Sequence, residues 1–119
     1  MIRFMGIDAI ATVSQYANNG NVAIRLVAAD TEHNSNMDSY PGEPLCNVTI
    51  NTDGIMPDEL CIKNYSENEG LLNLLLAAQW AETPHRYIDA GDAGYVSLPV
   101  VRPIGYLADL ISTGGYINE

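Results

Sequence analysis

Hydrophobic and polar positions alternate through the first part of the chain, on both sides of an Asn-Gly pair at positions 19 and 20. Alternation with a period of two is typical of strands, and Asn-Gly suits a two-residue type I′ turn. Residues 9–29 are therefore predicted to form a β-hairpin in which Val13 faces Leu26. The face of this hairpin that points to the core is predicted to carry Val22, Ile24 and Leu26.

The longest helical pattern covers residues 66–80. Ser66 and Glu69 have the spacing of a capping box, in which each side chain bonds to the backbone N–H of the other residue. Apolar residues then continue around almost the whole helix as far as Trp80, a pattern typical of a buried helix. The apolar run is too short and too interrupted to span a membrane. We therefore expect one central helix, with Trp80 in the core.

The rest of the chain reads as a loop, four further strands and a second helix. Residues 30–44 are polar and aperiodic, which indicates a loop. Strands are predicted at 45–51, 60–63, 85–88 and 95–101, with Pro99 marking an edge strand. A glycine-rich turn at 89–94 and a short helix at 106–111, closed by Gly114 and Gly115, complete the pattern. The sequence thus predicts an α+β fold: a single domain over residues 1–119, with an antiparallel sheet of about five strands packed on one central helix and a short C-terminal helix.

Length and composition fit a globular protein. A chain of 119 residues has the size of one domain, and a hydrophobic content of 47% argues against disorder. Cys46 and Cys61 fall in predicted strands, where we expect two small buried hydrophobic side chains and no disulfide. The first residues lack the long apolar segment of a signal peptide, so a cytoplasmic location is expected.

Charge changes the picture most. The chain has 15 acidic and 5 basic residues, for a net charge of −10. Such a protein repels nucleic acid and anionic membranes and attracts basic partners. Five basic residues spread along the chain also cannot form the cluster that neutralises phosphates. Because the acidic residues are scattered, a simple role of this charge in solubility stays open.

Catalytic motifs are not found in the sequence. There is no phosphate-binding glycine loop, no serine-nucleophile turn and no paired-cysteine motif. His33 and His85 have no cysteine or serine at a suggestive spacing, so both are predicted to be surface residues. The carboxylates that could bind a divalent cation are those of Asp89 and Asp92, with Asp109 or Asp8. Aspartates beside glycine are ordinary turn residues, so we predict no metal, no cofactor and no catalytic residue, and keep a metal-dependent enzyme as an alternative.

One segment carries a family resemblance. Residues 65–70 spell Tyr-Ser-Glu-Asn-Glu-Gly, within the longer stretch 62–72. Further matching segments are Glu43-Pro44, Thr49-Ile50-Asn51 and Pro57-Asp58-Glu59. Over residues 43–102 the chain resembles an uncharacterised family of small acidic proteins from bacterial plasmids, conjugative elements and phages.

The resemblance implies a context rather than a chemistry: an accessory gene of a mobile element, with its product in the cytoplasm of a bacterial host. The family has no assigned activity, so no catalytic residue comes with it. Mobile elements often encode proteins that disable host defences, including anti-CRISPR proteins and acidic DNA mimics, and this step is an analogy.

These observations predict a non-enzymatic acidic binding protein that inhibits a host defence complex by occupying its basic, nucleic-acid-binding surface. The carboxylates expected to contact the partner are Asp30, Glu32, Asp38, Glu43, Asp53, Asp58 and Glu59. No direct contact with nucleic acid or membrane is expected. The alternative is a structural or assembly accessory of a mobile element that forms oligomers through a sheet edge.

Overall fold

A computed structural model describes residues 1–89, 97–113 and 116–118, the last three by their backbone only. The larger sheet contains β1 (Ile2–Phe4), β2 (Ile7–Gln15), β3 (Val22–Ala28), β4 (Pro44–Asn47) and β8 (Tyr116–Asn118). The smaller sheet contains β5 (Leu60–Cys61), β6 (Arg86–Asp89) and β7 (Ser97–Val101). The helices are α1 (Glu32–Asn36), α2 (Leu71–Ala77) and α3 (Gly105–Ser112). The predicted α+β class with antiparallel sheets and a short C-terminal helix is confirmed, but the strands form two sheets rather than one.

β2 and β3 form the predicted hairpin with a different turn. Tyr16 N donates to Asn21 O at 2.9 Å, and Gly20 N donates to Tyr16 O at 2.8 Å, so residues 17–20 form a four-residue turn. The predicted pairing of Val13 with Leu26 is therefore wrong, and Val13 faces Ile24. The register is displaced by two residues, which preserves the inward face because side chains alternate with a period of two. Ile24 and Leu26 are buried as predicted.

The segment 66–80 is not one continuous helix. Ser66–Asn68 form a 3₁₀ turn, Gly70 has φ +88° and α2 begins only at Leu71. No side chain of the predicted capping box bonds the backbone of α2; instead Asn64 Oδ1 accepts from Leu72 N at 2.8 Å. The left-handed conformation at Gly70 is incompatible with right-handed helical geometry, so a continuous helix cannot pass through this residue.

α2 is consequently too short to organise the whole fold. Within it only Leu71 and Leu75 are fully buried, while the other leucines are half-buried. The main core forms where the inward face of the hairpin meets α2, α3, Val48 and Ile62. Trp80 is buried in this core as expected, and its ring lies 4.5 Å from that of Tyr106.

One edge of β2 is shared by three partners. β1 pairs with its first residues and β8 runs parallel to its last residues. Between them, Ala11 N donates to the Tyr106 hydroxyl at 3.2 Å, which attaches α3 to the strand. The parallel strand β8 was not predicted.

The predicted strand at 45–51 divides between the two sheets. β4 ends at Asn47, and Thr49 then pairs with Ile62 in an isolated bridge. The Thr49 hydroxyl accepts a hydrogen bond from Ile24 N at 3.1 Å, so a side chain takes the place of a backbone acceptor at this position of β3. The chain can therefore leave β3 here and reach the smaller sheet without leaving that donor unpaired.

β7 is the central strand of the smaller sheet, with β5 and β6 on its two sides. The prediction that Pro99 marks an edge strand is therefore wrong. β5 pairs with Val100 and Val101, and Ile62 N, directly after β5, donates to Pro99 O at 3.0 Å. The missing N–H of Pro99 therefore lies at the end of this ladder. β6 forms close to its predicted position, whereas the predicted turn residues 90–94, with Tyr95, Val96, Gly114 and Gly115, lie outside the described residues.

Candidate interaction surface

The connection between β3 and β4 is an ordered segment built around one buried side chain. The prediction that residues 30–44 form a loop without a helix is wrong, because this segment contains α1. The Thr31 hydroxyl caps α1 by accepting from Asn34 N at 3.1 Å. The Asn34 side chain is fully buried and accepts from Asp8 N at 2.8 Å. It also donates to the carbonyl oxygens of Asp8 and Ala29 at 2.8 and 2.9 Å. One amide therefore holds α1 against the ends of β2 and β3.

Asp8 completes this anchor with its carboxylate. Arg3 donates to Asp8 Oδ1 from Nε and Nη2 at 3.0 and 2.9 Å, and the Thr31 hydroxyl donates to Oδ2 at 2.9 Å. The hydrogen bonds from Arg3, followed by that from Thr31, hold the pKa of Asp8 below its usual value. This carboxylate, considered from the sequence as a cation ligand, is occupied by protein groups.

Four of the seven predicted contact carboxylates surround α1. Asp30, Glu32 and Asp38 are exposed, and Glu43 is half-buried and accepts from the Ser39 hydroxyl at 2.8 Å. None of the four forms a salt bridge with another residue in the described part of the chain. This part of the surface therefore carries four uncompensated negative charges.

The other three predicted carboxylates lie in the segment that precedes β5, and two of them are neutralised. Asp58 accepts from Arg102 Nε at 3.0 Å. Glu59 is buried and accepts from Arg86 Nε at 3.0 Å and from Met56 N at 2.9 Å. Of these three carboxylates, that of Asp53 alone is exposed and has no ion-pair partner among the described residues.

Glu59 acts as an anchor for its own loop. Its carboxylate also bonds His85 Nε2, and Arg86 Nη2 donates to Gly54 O at 2.7 Å. The hydrogen bonds from Arg86, and after them those from Met56 N and His85, hold the pKa of Glu59 far below its usual range despite burial. The structure thus places Glu59 inside the protein, with its side chain only 4% exposed.

The two groups of carboxylates lie at opposite ends of the hairpin. Asp30 and α1 follow the end of β3, where Ala28 pairs with Ala9. The segment that leads to Asp53 is tied to the hairpin turn, since Asn19 Nδ2 donates to Asn51 Oδ1 at 2.9 Å. The two ends of β3, a strand of seven residues, are about 20 Å apart. The seven residues therefore do not form one patch.

Exposed apolar side chains accompany the acidic group around α1. Met37 and Tyr40 are 53% and 61% exposed, and Met5 is 80% exposed. Contact between His33 Nε2 and Gly6 O, at 2.7 Å, brings the turn that carries Met5 next to α1. We call Met5, Met37 and Tyr40, together with Asp30, Glu32, Asp38 and Glu43, the α1 surface.

Sequence reasoning missed the apolar part of this surface. A tyrosine and a methionine within an otherwise polar segment were the available signal, because such side chains are enriched at protein interfaces. Two of its residues, Met5 and Asp38, adopt left-handed φ values of 50° and 59°. Such backbone conformations are uncommon outside glycine, and at Met5 and Asp38 they lie within a candidate interaction surface.

The described residues offer no alternative metal or thiol centre. Across 1–89 and 97–113, no three histidine, cysteine or acidic side chains come together as a metal site. Asp89 accepts from the Ser97 hydroxyl at 3.2 Å, and Asp92 lies outside the described residues. Cys46 and Cys61 are free thiols in β4 and β5, and burial raises the pKa of each to about 11.

Comparison of the chain with protein-family models, with curated protein sequences and with solved structures finds no match in any of the three. Among the helices of the described residues, none has the length and hydropathy needed to cross a membrane.

Proposed function

We propose that this chain is a non-enzymatic binding protein whose α1 surface docks on a basic protein surface. The observation that carries the proposal is the cluster of four carboxylates without ion-pair partners among the described residues, next to exposed Tyr40 and Met37. Carboxylates supply long-range attraction to arginine and lysine, and the apolar side chains supply the contact area that is buried on docking. Glu59, Asp58 and Asp53 are left out of this contact set.

The α1 surface is held in one shape before it binds. Asn34 and Thr31 fix α1, and Asp8 links both to Arg3 on β1. A rigid surface loses little conformational entropy on association, so more of its interaction energy appears as affinity. This feature supports a role in binding over one of charge for solubility alone.

A nucleic-acid-binding protein is the partner class that fits this charge. Such proteins present clustered arginine and lysine side chains to phosphates, and carboxylates spaced on a rigid surface can occupy the same groups. The resemblance to small acidic proteins of mobile elements supports a host defence complex as the target, with inhibition as the outcome.

The alternative function, assembly with other copies or with mobile-element proteins, is favoured by one observation. Tyr87 is 60% exposed on β6, which is an edge strand among the described strands of the smaller sheet. An exposed edge with an aromatic side chain can pair with another chain. This alternative would use the backbone of β6 and the Tyr87 side chain, and not the carboxylates of the α1 surface.

Affinity capture from a bacterial host lysate tests the proposal. Bait protein would be compared with a variant that carries Asp30→Asn, Glu32→Gln and Asp38→Asn. A matched control carries Glu69→Gln, Glu82→Gln and Asp109→Asn, which removes the same charge from exposed positions elsewhere. We expect capture of a nucleic-acid-binding protein by the wild type and the control, release by duplex DNA, and loss of capture with the α1 variant. Equal capture by both variants would contradict the proposal, and self-association through Tyr87 would support the alternative.

A further inference from the structure

A second feature is a cavity of about 220 Å³ between the start of β3, the residues before β5 and α3. Most of its lining is apolar. The apolar side chains that line it are those of Val22, Pro57, Leu60, Pro103, Ala108 and Ile111. An apolar cavity of 150 Å³ can hold benzene, so about 220 Å³ accommodates one aromatic ring with a short chain.

The charged residues around this cavity are mostly acidic. Three carboxylates and one arginine contribute to the lining. Arg102 is engaged by Asp58 at 3.0 Å, and Glu59 is engaged by residues of its own loop and of β6. Glu82 is exposed and forms no salt bridge with another described residue, and its backbone N–H bonds Arg102 O at 2.9 Å. An anion would therefore be repelled here, whereas a cation would find Glu82 open.

We propose that this cavity binds a hydrophobic organic cation, namely a small amine whose apolar body is about one aromatic ring. The ring would fill the space beside Ala108 and Ile111, and the ammonium group would meet the Glu82 carboxylate. Burial of the ring supplies most of the affinity. The ion pair supplies the preference for a cation over a neutral molecule of the same shape.

This site is separate from the α1 surface. Val22 pairs with Gln15 beside the hairpin turn, whereas α1 follows Ala28 at the other end of the same strand. The distance along the strand is about 20 Å. Binding of an amine and docking of a basic protein can therefore succeed or fail independently.

Titration with two probes, followed by NMR of the methyl groups, tests the proposal. The probes are phenethylamine and 2-phenylethanol, which share a ring and chain but differ in charge. Phenethylamine should shift the Ala108 and Ile111 methyl signals and bind more tightly than the alcohol. Glu82→Gln should weaken phenethylamine by about fivefold, the scale of one exposed ion pair, and leave the alcohol unchanged. Glu69→Gln, an identical change away from the cavity, should alter neither.

A space-filling variant locates the binding. Ala108→Met should abolish binding of both probes while the circular dichroism spectrum stays unchanged. Unshifted Ala108 and Ile111 methyl signals in the wild type would overturn the proposal even where the variant fails to fold. Equal binding of amine and alcohol, or an equal effect of Glu82→Gln and Glu69→Gln, would overturn the assignment of a cation. Retained binding in a folded Ala108→Met variant would show that the probes bind elsewhere.

Discussion

Asn34 and Asp8 are joined by a pair of 2.8 Å hydrogen bonds, in which the side chain of one residue accepts from and donates to the backbone of the other. The Asn34 amide thereby imitates a strand residue paired with the start of β2. It lets a short helix dock at the end of a sheet without leaving backbone groups unpaired. The α1 surface depends on this contact.

Replacement of Asn34 by alanine should lower the free energy of unfolding by about 3 kcal/mol, because Asp8 N and Ala29 O lose their buried partner. Asp8 O loses one of two bonds and keeps the one from Ala29 N. Chemical denaturation measures the change. Ser35→Ala, an exposed neighbour in the same helix, should stay within about 0.5 kcal/mol of wild type. An Asn34→Ala variant with the wild-type free energy of unfolding would show that α1 is not held by this amide.

Asn64 should matter for α2 more than the residues of the capping box predicted from the sequence. Asn64→Ala removes the acceptor for Leu72 N and should cost about 1 kcal/mol, the net value of one hydrogen bond. Glu69→Ala should change stability by less than about 0.5 kcal/mol. Thermal unfolding compares the two variants. An equal loss of stability in both would support the predicted capping box.

The free energy of unfolding should fall at low pH because Glu59 becomes protonated. Its pKa lies far below the ordinary value of 4.5 in the folded protein, chiefly because Arg86 donates to it. A carboxyl group with a lowered folded pKa contributes its stability above the unfolded pKa, and this is lost as pH falls toward the folded pKa. Unfolding curves between pH 7 and pH 2 should therefore show a decline from about pH 4.5 downward.

The variant Glu59→Gln should reduce the slope of that decline, since an amide does not titrate in this range. Glu69→Gln, at an exposed carboxylate without an ion pair among the described residues, is the matched control and should keep the wild-type slope. A wild-type slope in Glu59→Gln would assign the acid sensitivity to other carboxylates with a lowered pKa, which are those of Asp8 and Glu67.

Salt should weaken the proposed complex mainly through its association rate. Exposed charges are screened over about 8–10 Å at physiological ionic strength, and steering acts on encounter. The triple variant at Asp30, Glu32 and Asp38 should fold as stably as wild type and lose most of this salt dependence in stopped-flow measurements. An affinity that is flat between low and high salt would exclude charge mimicry.

Tyr40 and Tyr87 provide a matched pair of exposed tyrosines, at 61% and 60% exposure. Tyr40→Ala should weaken the complex by about tenfold or more, as expected for an aromatic residue central to an interface. Tyr87→Ala should leave the affinity unchanged. The reverse result, together with a smaller oligomer in Tyr87→Ala, would favour the assembly function.

Short-range patterns of the sequence determined much of this protein. Alternation along residues 9–29 predicted the hairpin and its inward face, since Ile24 and Leu26 are buried even though the register differs by two. The α+β class and the helix near 106–111 also follow from local periodicity. Such features depend on neighbours within a few positions, which a single sequence displays directly.

Only the tertiary structure decided which carboxylates are available. Arg86 lies 27 positions from Glu59, and Arg102 lies 44 positions from Asp58, so no local pattern indicates that these acids are paired. The same holds for Asn34, whose polar side chain is buried only because Asp8, 26 positions away, offers backbone partners. Charge pairing and polar burial depend on contacts that chain folding creates, and they separate the α1 surface from the rest of an evenly acidic sequence.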